Sequence, residues 1–230
     1  MLKVDRLAIT GLPLLSFEVA AGECVAVEGP SGSGKTRILR AIADLDPAGG
    51  YVFLEGAERS EIPANAWRKR VRYVSAEPAW WADTPRAHVT ATAEAQRFER
   101  FAASLGIDRA ALDQPITQLS TGERLRLGLA RACCDEPNVL MLDEPTGALD
   151  PQSAALTEEM IRFLLISRRA IILVSHDQGQ VARLAHKRLL LAAPKDARPE
   201  PSEPSTAPDE PRPAADDRVA TLAQRWEHGP

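Results

Sequence analysis

Gly29-Pro30-Ser31-Gly32-Ser33-Gly34-Lys35-Thr36 is a glycine-rich octet that ends in a lysine and a hydroxyl. Its spacing, Gly, four residues, Gly, Lys and Thr, is that of a phosphate-binding loop. Glycines let backbone amides turn inward around an anion, and a helix starting at the end of the octet points its positive dipole end at the same place. Lys35 can reach the outer phosphates of a nucleotide, and the Thr36 hydroxyl can offer an oxygen to Mg2+. A second cluster, Val139-Leu140-Met141-Leu142-Asp143-Glu144, sends two carboxylates off the end of an apolar run. Asp143 is aimed at the metal, directly or through water, while Glu144 projects differently and can accept a proton from a water attacking the terminal phosphate. Alone, such a run is commonly a strand meeting solvent; beside the octet it becomes the acidic half of a nucleotide site.

These residues need a scaffold of strands ending in loops. Glu23–Glu28 is a short apolar run entering the glycine turn, as a buried strand would. Ile38, Leu39, Ile42 and Leu45 then mark one face of a helix closed by Pro47 and the Gly49-Gly50 pair. Tyr51–Leu54, Val71–Val74, Val139–Asp143 and Ala170–Ser175 read as further strands, and the stretch from about Pro78 to Glu136 reads as mostly helical. Strand, glycine turn, helix and further alternation predict one α/β sheet domain with a helical insertion, over 1–193. From 194 to 230 the 37 residues hold 8 of the 18 prolines and a net charge of −3, which predicts a disordered tail. Within it, Val219–Glu227 can form a short amphipathic helix or remain an unstructured end.

Composition narrows the function classes. With 44% hydrophobic residues the chain can bury a core, and 28 basic against 32 acidic residues give no surplus that would argue for nucleic acid. The longest apolar runs are strand-sized, and the N-terminus lacks a signal-peptide pattern, so the expectation is a soluble cytoplasmic chain. Three cysteines, two of them adjacent (Cys133 and Cys134), form neither a disulfide framework nor a spaced metal set, and packing is the expectation for that pair.

Leu119-Ser120-Thr121-Gly122-Glu123 resembles the Leu-Ser-Gly-Gly-Gln signature of ATP-binding cassette (ABC) ATPases, with Thr121 for a glycine and Glu123 for the glutamine. It opens a helix with Leu125, Leu129 and Ala132 on one face, so Ser120 and the following amides form a second helix-N-terminal anion site. Pro145-Thr146-Gly147-Ala148-Leu149-Asp150 is similar to the family's D-loop, and Val174-Ser175-His176-Asp177 to its switch-histidine strand. The resemblance covers 1–193 and implies a P-loop NTPase fold with a RecA-like core, an antiparallel β-subdomain and a helical subdomain at about 78–136. It implies ATP and Mg2+ as cofactors, and head-to-tail pairing in which Ser120 and Gly122 of each copy complete the other's site. Asp150 then communicates between the paired sites, and Glu144, His176 and Lys35 carry hydrolysis. As partners it implies a second cassette and a separate integral membrane permease, which would hold the chain on the cytoplasmic face of the inner or plasma membrane.

Two positions depart from the family pattern. Tyr73-Val74-Ser75-Ala76-Glu77-Pro78 places Ala76 where a glutamine is usual, leaving the neighbouring Glu77 as a candidate metal oxygen. Ile9-Thr10-Gly11-Leu12 offers no ring where an aromatic usually stacks on adenine, a loss of about 1 kcal/mol or slightly more in base affinity. Trp80 and Trp81 stand where family members meet a membrane partner, and can either anchor that interface or fill the helical core. The leading expectation is the ATPase subunit of a transporter. The rivals are a soluble assembly ATPase of the iron–sulfur type and a nucleotide-gated module with weak hydrolysis.

Overall fold

The computed structural model describes residues 1–192 of the chain. The 193/194 boundary, the Pro-rich tail and the expected turn of helix at Val219–Glu227 lie outside the described residues.

Five short strands form a parallel sheet: β3 (Cys24–Glu28), β6 (Val71–Val74), β7 (Val139–Asp143), β8 (Ala170–Val174) and β9 (Lys187–Leu190), in the order β6-β7-β8-β3-β9. Every residue of β3, β7 and β8 is buried. Their near-continuous apolar sequence is what a parallel sheet covered on both faces requires. The side chains divide with a period of two. Leu140, Leu142, Ile171 and Leu173 join one apolar cluster, and Val139, Met141, Ile172 and Val174 join the other.

The first cluster is completed by the helical side of the molecule, α3 (Thr92–Ser104), α4 (Thr121–Cys133) and α5 (Pro151–Ile166). On the opposite face lie α1 (Lys35–Ile42), α2 (Ala64–Arg70) and an antiparallel sheet of β1 (Leu2–Ala8), β2 (Leu15–Val19), β4 (Gly49–Leu54) and β5 (Ala57–Glu58), ordered β2-β1-β4-β5. The β1–β4 register slips between Asp5 and Ala8, and Gly50 accommodates the slip at φ 80°. A Cβ there would lie 2.1 Å from the Arg6 carbonyl oxygen. A short helix α6 (Gln178–Leu184) links β8 to β9.

Local expectations change at the end of α1. Helix α1 stops at Ile42, before the proline and glycines expected to close it. Asp44 takes φ 60°, its N–H donates to the Ala41 carbonyl at 3.2 Å, and the Leu45 N–H donates to Arg40 O at 2.9 Å. That pair of bonds is a Schellman closure with aspartate in the glycine position, and it leaves Leu45 41% exposed rather than on the buried face. Gly49-Gly50 consequently begins β4. The region 78–136 is mostly helical, as expected, in α3, α4 and short 3-10 turns, with the stretch before Thr92 forming a loop described below.

Trp67 of α2 is fully buried, and its Nε1–H donates to the Ile42 carbonyl at 3.0 Å, so one ring both fills the second cluster and caps the end of α1. Trp67→Ala is therefore expected to cost about 3–5 kcal/mol of unfolding free energy. Urea denaturation followed by circular dichroism checks this, and a loss under about 1 kcal/mol would mean that α2 is not anchored by this ring.

Candidate active site

Because the five strands run parallel, their carboxyl ends share one edge, where ligands of such sheets bind. The phosphate loop follows β3, Asp143 ends β7, His176 follows β8, and Ala76 follows β6. Lys35, Thr36, Ala76, Asp143, Glu144 and His176 line one cleft of about 360 Å3, together with Ser31, Gly32 and Gly34 of the loop.

Gly34 precedes α1 at φ 92°, and a Cβ there would collide with Leu12 at 2.7 Å. Leu12 thus sits over the loop where a stacking ring was sought, held by a turn whose Thr10 carbonyl accepts from Arg37 at 2.7 Å. No side chain caps α1 and no acidic residue lies in its first turn, whereas Ser120, Asp150 and Asp177 cap α4, α5 and α6. The amides at the start of α1 are left for an external anion. Lys35 is buried, and its Nζ donates to the Gly29 and Pro30 carbonyls at 2.7 and 3.0 Å. The Ser33 hydroxyl is buried with no hydrogen-bond partner among the described residues.

Thr36 Oγ1 donates to Asp143 Oδ2 at 2.7 Å, and the Tyr73 hydroxyl donates to the same oxygen at 3.0 Å. Burial, and then the Asp143 charge, raise the Tyr73 pKa, which keeps the phenol a donor. Tyr73 had no role in the sequence reading. Its place follows from strand pairing: β6 pairs Tyr73 with Met141, so Tyr73 and Asp143 fall on one face of neighbouring strands. Glu144 takes φ 50°, a sparsely populated conformation for a non-glycine residue, while its N–H extends the ladder to Val174 O at 2.9 Å. The turn swings its carboxylate toward His176. The His176 N–H donates to Glu144 Oε2 at 3.2 Å, and its Nε2 lies 3.4 Å from Oε1.

Other expected residues stand elsewhere. Ser120 and Gly122 open α4 away from this cleft, against the D-loop, where a Cβ on Gly122 would sit 3.3 Å from Leu149. Within this chain the Ser120 anion site is already filled. The Ser120 N–H and O–H both donate to Glu123 Oε2, at 2.8 and 2.7 Å, a reciprocal capping box that holds the Glu123 carboxyl below its usual range. Asp150 accepts from the Gln152 and Ser153 amides, both at 3.0 Å, and so starts α5. Glu77 does not line the cleft; it borders a separate groove, while Ala76 faces the phosphate loop.

Residues 12–147 match the family model described as ABC transporter, more than half of the chain. The chain belongs to the ABC transporter family. Its fold is that of the family's ATPase cassettes. It is 36% identical over 188 residues to "Protein STAR1" of Oryza sativa subsp. japonica, covering 78% of this chain and 54% of that protein. It is 33% identical over 198 residues to "Nod factor export ATP-binding protein I" of Burkholderia thailandensis, covering 80% and 62%. The chain thus spans under two thirds of the length of either relative. Among solved structures it is similar in fold to a dimeric post-hydrolysis ATP-binding cassette bound to ADP and Pi (TM-score 0.73, 21% identity, 83% of this chain and 94% of that one). A bacterial Atm1-family ABC exporter with ATP bound is also similar (TM-score 0.72, 26% identity, 83% and 36%).

Beside the cassette's phosphate cleft lies a groove of about 660 Å3, and the two tryptophans differ there: Trp81 lines it and Trp80 does not. Trp80 packs against the helical core, whereas Trp81 is 74% exposed. The Arg131 guanidinium lies over both rings, 4.4 and 4.7 Å from their centres. Burial, then the like charge of Arg72, pushes Arg131 down to about 10. Cys133 and Cys134 are buried, as expected, and desolvation pushes the Cys134 thiol up to about 12. His88 ties this loop together: Nε2 accepts from the Trp81 and Ala82 amides at 3.0 and 3.1 Å, while Nδ1 lies 2.9 Å from the Thr84 carbonyl, which fixes the proton on Nδ1. Burial, with the nearby Arg131 charge, lowers the His88 pKa below 6.5. The stability this neutral ring contributes is therefore full above pH about 6.5 and is lost as the pH falls through the lowered value, since the unfolded chain takes up the proton first. Urea midpoints between pH 7.5 and 5.5 should fall more steeply for the natural chain than for His88→Gln, whose amide keeps an acceptor without titrating. Equal slopes would remove His88 as the source.

Proposed function

We propose that this chain is the ATP-binding and ATP-hydrolysing subunit of a transporter, acting as a head-to-tail pair on a separate membrane-spanning chain. The observation that carries the reading is the division of the site. Phosphate loop, Asp143, Glu144 and His176 share one cleft, while Ser120, Gly122 and Asp150 open helices outside it. Two copies facing each other would bring the signature of one over the phosphate loop of the other. Among the described residues no helix is long and apolar enough to cross a membrane, so in this proposal the membrane path lies outside them. The relative named for Nod factor export and the exporter-like fold neighbour support a transport role without assigning cargo.

Lys35 exchanges its two carbonyl partners for phosphate oxygens, and the open amides of α1 hold the same anion. Thr36 and Asp143 fit Mg2+: two hard oxygens 2.7 Å apart suit a cation that keeps several waters and binds through few protein ligands. When bound, the ion neutralises charge on the phosphate oxygens. Glu144 takes the proton from the attacking water, and His176, already paired with Glu144, positions that carboxylate and faces the terminal phosphate. Ala76 supplies no oxygen to the cleft and Glu77 faces the groove, so at this position the chain relies on its other residues.

The test is Glu144→Gln in the full chain. With Mg-ATP the variant should shift from monomer to dimer mass in light scattering, and steady-state turnover should fall at least about 100-fold. Turnover within a few-fold of the natural chain would remove Glu144 as the base, and strict monomers at high concentration would defeat the paired site. Co-purification with a soluble scaffold instead of a multi-spanning protein would favour the assembly ATPase.

A further inference from the structure

Asp143 has two hydroxyl donors on one oxygen, and only one of them comes from the phosphate loop. Thr36 Oγ1 approaches Oδ2 at 2.7 Å from α1, and the Tyr73 hydroxyl approaches it at 3.0 Å from β6. The phenol is half-buried, and its reach is set by the β6–β7 ladder, in which Tyr73 pairs with Met141 two residues before Asp143. Tyr73 also lines the groove that holds Trp81 and Arg131, so the ring stands in the wall between groove and cleft. Ala76 presents only a methyl group to the cleft, and Glu77 borders the groove instead.

The geometry points to Tyr73 as a positioning residue that holds the Asp143 carboxylate in its metal-binding orientation, the tie from the β6 side that position 76 does not provide. The inference rests on the reading of Thr36 and Asp143 as the Mg2+ ligands. When the Thr36 hydroxyl turns its lone pair to the cation, the carboxylate is held by a partner that has no other task. Tyr73 does not line the phosphate cleft, so its removal should act on the metal and leave nucleotide binding without metal alone.

Tyr73→Phe keeps the ring and deletes the donor. With the full-length chain and ADP, electron paramagnetic resonance with Mn2+ as the probe should show half-saturation about tenfold higher for the variant, the lower end of the loss usual for outer ligands of metal sites. ADP affinity in EDTA and the nucleotide-free melting temperature should match the natural chain. Coincident Mn2+ titrations would overturn the assignment. So would a parallel loss of metal-free ADP affinity and melting temperature, which would make Tyr73 a packing residue. A natural chain whose ADP affinity gains nothing from Mn2+ would overturn the reading of Thr36 and Asp143 first, and the role of Tyr73 with it.

Discussion

A parallel sheet covered on both faces leaves its strand ends as the only place where polar groups can meet solvent and each other. In β7 the residues from Val139 to Leu142 are at most 1% exposed, and the next residue is Asp143. Everything in the cleft follows from the register of that strand with its neighbours. Pairing Asp143 with Val174 brings His176 beside Glu144, and pairing Leu142 with Val74 places Ala76 on the opposite wall. A slip of one residue would turn each carboxylate to the other face of the sheet, so the apolar alternation of β7 and β8 fixes the chemistry as well as the core.

Several polar groups of the cleft and of α4 are satisfied from within, while the Ser33 hydroxyl has no partner among the described residues. Lys35 is bound to loop carbonyls, Glu144 to the His176 amide, and the Ser120 amide and hydroxyl to Glu123. Left unpaired, a buried polar group costs about 1–3 kcal/mol, so the two carbonyl bonds keep buried Lys35 ordered by themselves. Phosphate oxygens are the stronger partners for that ammonium, because a bond between two ions outweighs one to a neutral carbonyl. Glu123 brings a full negative charge to the start of α4. In the proposed pair an incoming phosphate would have to displace or share that carboxylate, a demand the commoner glutamine would not impose.

The octet, the apolar run before Asp143 and the signature helix were legible because each combines local composition with a fixed position relative to one strand or helix. The strand spans Val71–Val74 and Val139–Asp143 match the structure to the residue. What was not legible depends on partners distant in sequence. The N-terminal strands β1 and β2 alternate weakly, and β4, the other partner of β1, lies some 45 residues on. Helix α1 ends early through Asp44, an aspartate doing what glycine usually does, which no local rule favours. His88 and Arg131 carry no motif; they are joined by the fold of a loop onto α4. Tyr73 lay within a motif already noted, yet its bond to Asp143 appears only once β6 and β7 are seen to be neighbours.

Helix α4 is the element that borders these separate sites. Its 13 residues span about 20 Å, with Ser120 capping its start and Arg131, over both tryptophan rings, in its last turn. Midway, Gly128 lets Pro78 pack so closely that an added Cβ would sit 2.5 Å from its ring. Pro78 is two residues from Ala76, which lines the phosphate cleft. The loop that carries Trp81 is thus joined to α4 at two places, through Arg131 and through Pro78 at Gly128. Both contacts stand with alanine at position 76, whose methyl group gives the cleft wall no polar atom.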